Sequence, residues 1–124
     1  MKPIFLVAAA LFAAPTFALA QAPGLEETCA IVARNFEMVK AVKLGVTQSF
    51  PELTPPGVRM TYSTKLDAED ANITDTIECQ FEKASAPFKL VKFCLNNTCY
   101  TVDEKNPERR RRFEEAQSLL AKQN

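Results

Sequence analysis

The chain has 124 residues, with 15 basic and 15 acidic side chains, 47% hydrophobic residues, four cysteines, and neither histidine nor tryptophan. That length is one domain, with no room for two lobes closing on a cleft, and the apolar content is that of a folding chain rather than a disordered one. The absence of histidine excludes Ser-His-Asp triads, imidazole acid–base relays and His-ligated zinc.

Residues 1–20, MKPIFLVAAALFAAPTFALA, read as an export signal. Lys2 supplies the positive start, Ile4 to Ala14 is an apolar stretch of 11 residues, and Ala18-Leu19-Ala20 places small residues where a signal peptidase cleaves. Eleven residues are too few for a bilayer core of about 30 Å, which takes roughly 20. No arginine pair precedes the stretch, and residue 21 is Gln rather than a lipid-accepting Cys. The remaining 21–124 are expected to form a single disulfide-stabilised α+β domain with no transmembrane segment, in the periplasm or secreted. Its charge is uneven: ten acids and five bases over 21–82, nine bases and five acids over 83–124.

Leu25, Cys29, Val32, Phe36 and Val39 recur at steps of three and four, which predicts an amphipathic helix from Leu25 to about Val39. Glu26 and Glu27 sit in its first turn, where the helix dipole favours acids. Val42, Leu44 and Val46 then alternate with polar or small residues and predict a first strand, in competition with a helix running on to Lys43. Three prolines between Phe50 and Gly57 require a loop. Val58, Met60 and Tyr62 predict a second strand, Asp67 to Asn72 a turn-prone connector, and Thr74–Lys83 a third strand. Phe88–Leu95 and Thr98–Asp103 follow as strands around Asn96-Asn97, residues that tolerate the positive φ of a tight turn. Asn106-Pro107-Glu108 opens a last helix with a capping amide and an N1 proline, and Phe113, Ala116, Leu119 and Leu120 make its buried stripe. The expected fold is α+β: an N-terminal helix, an antiparallel meander of four to five strands, a C-terminal helix and two disulfides.

Two hairpin registers can be written down. A two-residue loop at Asn96-Asn97 sets Cys94 opposite Cys99 and Phe93 opposite Tyr100, with Val91 opposite Val102. A five-residue turn at Lys83–Pro87 sets Cys79 opposite Val91 and Ile77 opposite Phe93. Both put Ile77, Cys79, Phe81, Val91, Phe93, Leu95, Tyr100 and Val102 on one face, and leave Glu78, Leu90, Lys92, Cys94 and Cys99 on the other. Four cysteines in an exported chain imply two disulfides. The registers favour Cys94–Cys99 across the hairpin, and Cys29–Cys79 between the helix stripe and the core face. The Cys-x4-Cys spacing suits neither zinc nor a C-x-x-C redox motif.

Arg109, Arg110, Arg111 and Arg112 are a candidate anion-binding surface. Successive helical positions diverge by about 100°, and Arg110 and Arg111 precede Glu114 and Glu115 by four residues, so a solvated, partly neutralised face is the expectation. The face carrying Leu90, Phe88 and the Cys94–Cys99 cystine is a candidate partner surface. Asp67, Glu69, Asp70 and Asp75 lack the glycine and terminal glutamate of an EF-hand calcium loop. No nucleophile-plus-base spacing and no cofactor motif is present, so no catalytic residue, metal or cofactor is expected.

Cys79-Gln80-Phe81-Glu82, Phe93-Cys94 with Tyr100, Phe50-Pro51 and Pro55-Pro56-Gly57-Val58-Arg59-Met60, behind the signal, resemble small uncharacterised exported proteins of Gram-negative bacteria. The resemblance implies a fold and a compartment and no activity. The expected function is a non-enzymatic binding or accessory protein of the cell envelope, with an envelope protein or an anionic surface as partner and no nucleic acid. The alternative is a thiol-redox protein using Cys94 and Cys99.

Overall fold

A computed structural model describes residues 24–123; the signal expected over 1–20 lies outside them. Helix α1 spans Leu25–Glu37, followed by strands β1 (Lys43–Phe50), β2 (Gly57–Ser63), β3 (Asp75–Phe81), β4 (Leu90–Leu95) and β5 (Thr98–Thr101), and by helix α2 (Pro107–Ala121). A single 3-10 turn at Asp70–Asn72 interrupts the connector before β3. The strands form one antiparallel sheet in the order β1-β2-β3-β4-β5. This is the α+β meander that the hydrophobic periodicity predicts.

Both helices lie on one face of the sheet, α1 over β1–β3 and α2 over β4 and β5, and they touch each other. The alternation explains why. Val58, Met60, Tyr62, Ile77, Cys79, Phe81, Phe93, Leu95 and Tyr100 point inward and join Leu25, Cys29 and Val32 of α1 and Phe113, Ala116 and Leu120 of α2 in one core. An aromatic column braces it. Phe93 stacks on Tyr100 at 4.8 Å and on Phe113 at 6.1 Å, and meets the edge of Phe36 at 5.8 Å. The opposite face carries the row Gln48, Arg59, Glu78, Cys94 and Cys99, and no helix among the described residues packs on it.

The β4–β5 hairpin has the expected register, with Leu95 opposite Thr98, Cys94 opposite Cys99 and Phe93 opposite Tyr100. Asn96 takes the positive φ of the turn, at 52°. The β3–β4 register differs by two from expectation: Cys79 faces Phe93 and Ile77 faces Leu95. One residue of the difference is the loop, which runs Lys83–Phe88 because Glu82 still donates its N–H to the Lys89 carbonyl. The other is a bulge between the pairs Gln80–Lys92 and Phe81–Leu90, which leaves Val91 as the extra residue. A shift of two preserves most of the alternation, but the bulge reverses Leu90 and Val91. Leu90 enters the core and Val91 is half-buried. Phe88 is also buried, packed at 5.7 Å against Phe81. Val102, expected inside, is exposed because β5 ends at Thr101 and the chain leaves for α2.

Both disulfides have the expected partners. Cys29–Cys79 ties α1 to β3 inside the core, and Cys94–Cys99 crosses the hairpin on the opposite face. Asn106 caps α2, its side-chain oxygen accepting from the Glu108 and Arg109 N–H groups at 3.0 and 3.2 Å. Helix α1 is shorter than its apolar stripe suggests, and β1 begins at Lys43 as a strand. As the sheet edge, β1 leaves Leu44, Val46 and Phe50 substantially exposed.

Candidate binding cleft between the helices

The end of α1 is built on an unusual residue. Met38 follows the last helical turn in the left-handed conformation, with φ 58° and ψ 42°. Its N–H donates to the Asn35 carbonyl at 3.3 Å, and the Val39 N–H donates to the Arg34 carbonyl at 3.0 Å. These paired bonds are those of a Schellman motif, whose left-handed position is ordinarily glycine. A side chain there costs about 1–2 kcal/mol. The chain has three glycines, at 24, 45 and 57, and none falls here. Met38 is nevertheless 90% exposed, so its thioether arm contributes little to the core in return.

Beside Met38 lies a cleft of about 220 Å³ between Phe36, Arg111, Arg112, Glu115 and Leu119. Phe36 is half-buried, and the Arg112 guanidinium sits 4.2 Å above its ring centroid. Leu119, expected in the buried stripe of α2, is instead 37% exposed at the cleft margin. Apolar surface therefore comes from Phe36, Met38 just past the end of α1, and Ala116 and Leu119 of α2, and cationic groups from two consecutive arginines.

The four arginines do not act as one patch. Arg109 lies 3.5 Å from the Glu104 carboxylate, and Arg110 donates to the Glu104 and Lys105 carbonyls at 3.0 and 3.4 Å. Both fold back onto the loop preceding α2. Arg111 and Arg112 turn to the cleft. Neither Arg110–Glu114 nor Arg111–Glu115 is among the ion pairs of the described residues; the Arg110 guanidinium is taken by the Glu104 and Lys105 carbonyls instead.

The face expected to be apolar around Leu90 and Phe88 is polar, because the bulge sends both side chains into the core. What remains there is the Arg59–Glu78 ion pair and the Cys94–Cys99 cystine. Asp67, Glu69 and Asp75 line a polar hollow with Lys65, and no group of three or more Cys, Asp or Glu side chains converges to hold a metal among the described residues. No helix among the described residues is long and apolar enough to cross a membrane.

Sequence reasoning singled out Arg111 and Arg112 but missed Met38. The available signal was negative: an amphipathic stripe ending with no glycine or asparagine to close it. No family model, curated protein or solved structure matches the chain.

Proposed function

We propose that the chain is a non-enzymatic binding or accessory protein of a bacterial cell envelope, exported to the periplasm or the medium by its first 20 residues. Its ligand in this reading is an acidic segment of an envelope protein that places one apolar side chain in the cleft between α1 and α2. The observation that carries the reading is Met38, an exposed thioether on a backbone position that disfavours any side chain. Strain of this kind persists where it serves a site, and methionine adapts to varied apolar partners. Arg111 and Arg112 outnumber the one acid of the same cleft, Glu115, and supply the charge complementary to carboxylates. Two disulfides suit an oxidising compartment.

The test is capture from a solubilised envelope fraction on the immobilised protein and on a Met38→Gly/Arg111→Gln double variant, at low and high salt. A protein retained by the wild type, lost from the variant and released by salt supports the cleft. Equal retention by both, or none, overturns it. Retention on anionic vesicles that survives Met38→Gly would assign the arginines to a lipid surface instead.

A further inference from the structure

The two disulfides differ in what a reagent in solution can reach. Cys29 and Cys79 are 0% and 1% exposed beneath α1, whereas Cys99 is exposed on the uncovered sheet face and its partner Cys94 is 7% exposed. The hairpin that Cys94–Cys99 spans is also held by other means. Asn96 donates its N–H to the Thr76 carbonyl at 2.9 Å, and its side-chain oxygen accepts from the Thr76 N–H at 3.1 Å. The turn residue thus extends the β3–β4 ladder by one more pair, and β4–β5 register is fixed on both sides of the cystine. A bridge with a sequence separation of 5 constrains the unfolded chain about half as strongly as one with a separation of 50.

We propose that Cys94–Cys99 is a thiol-exchange site, opened by an external dithiol and closed again by the disulfide form of that partner while the fold stays intact. In the forward direction a thiolate of the dithiol attacks the exposed Cys99 Sγ. A new S–S bond forms there, the Cys94–Cys99 bond breaks, and its electron pair leaves on Cys94 Sγ, which takes a proton from water. The second thiol of the reagent, deprotonated, then attacks the reagent's own sulfur in the mixed disulfide. Cys99 leaves as thiolate and is protonated. The protein cystine is reduced by two electrons and the dithiol is oxidised by two. The surrounding charge permits the approach: Glu78, the carboxylate of the same row, is paired with Arg59, and Lys92 stands two residues before Cys94 on the same face. The partner is defined by its chemistry as a dithiol oxidoreductase or a small dithiol of the compartment.

The oxidised protein is treated with reduced dithiothreitol in native buffer, quenched with iodoacetamide at intervals and mapped by mass spectrometry. Cys94 and Cys99 should be alkylated at least about tenfold faster than Cys29 and Cys79, with the circular dichroism spectrum unchanged. Glutathione in place of dithiothreitol should leave its adduct on Cys99. A Cys94→Ser/Cys99→Ser double variant should fold with the native spectrum. Opening of both disulfides at one rate, an adduct on Cys94 instead, or a double variant that does not fold would each overturn the proposal.

Discussion

The hydroxyl of Tyr62 donates to Glu37 Oε1 at 2.7 Å, joining the end of β2 to the last residue of α1. Tyr62 is wholly buried while Glu37 is exposed, so the bond is the tyrosine's outlet for a polar group it cannot present to water. Burial, then the hydrogen bond and charge of Glu37, hold the hydroxyl far above the usual tyrosine range. The folded protein therefore grips this proton more tightly than the unfolded chain, whose tyrosine titrates near 10. Its contribution to stability is complete below about pH 10 and declines as pH rises beyond it. Tyr62→Phe should cost about 1 kcal/mol at neutral pH and flatten the alkaline loss of stability. Urea titrations from pH 7 to 11 on both proteins measure this, and parallel slopes above pH 10 would contradict it.

Met38→Gly should stabilise the protein by about 1 kcal/mol, because glycine adopts the left-handed C-terminal position without steric cost. Chemical denaturation gives the number directly. A destabilised variant would mean that Met38 packs in a way its 90% exposure does not reveal.

Gly45 sits where β1 bulges against β2, between the pairs Leu44–Tyr62 and Thr47–Met60. A β-carbon there would collide with Thr61 Oγ1 and come within 2.9 Å of Ile73 Cγ2. Gly45→Ala should cost about 1–3 kcal/mol through overpacking, and it would also push aside Thr61 Oγ1, which accepts from the Val46 N–H at 2.9 Å. A thermal melt of the variant beside the wild type decides, and an unchanged midpoint would contradict it.

Cys29→Ala should be far more damaging than Cys94→Ala. Chain-entropy arithmetic gives about 4 kcal/mol for the long Cys29–Cys79 loop and about 2 kcal/mol for the small Cys94–Cys99 ring, and the first change also leaves Cys79 as a lone thiol in the core. Paired denaturation curves test the order, and equal losses would refute it.

The hairpin at Asn96-Asn97 was legible because a two-residue loop leaves no freedom in the pairing beyond it. The long disulfide was legible because both its cysteines fall on apolar stripes of known period. The Val91 bulge was not. It follows from how Leu90 and Phe88 find space in the core and from the Gln117 amide, which donates to the Leu90 carbonyl at 2.9 Å; no local residue pattern announces it. Its effect spread to function, since it moved Leu90 and turned an expected apolar face polar. The arginine run was visible as charge, but its division into two loop-bound and two cleft-facing residues depends on the carbonyls of Glu104 and Lys105, whose direction only the folded loop defines. Met38 escaped notice because strain at a helix end is a property of backbone angles.

The disulfide pattern joins cysteines in order of their position: the first with the second, the third with the fourth. On the export route proposed above, a chain threaded N-terminus first into an oxidising space would present Cys29 alone until Cys79 arrives, and these two are native partners. Cys94 and Cys99 emerge later and close together. An oxidant that simply links successive thiols as they appear would therefore reach the native arrangement without passing through a scrambled isomer, and biogenesis of the protein would make no demand on the slow reshuffling that non-consecutive patterns require.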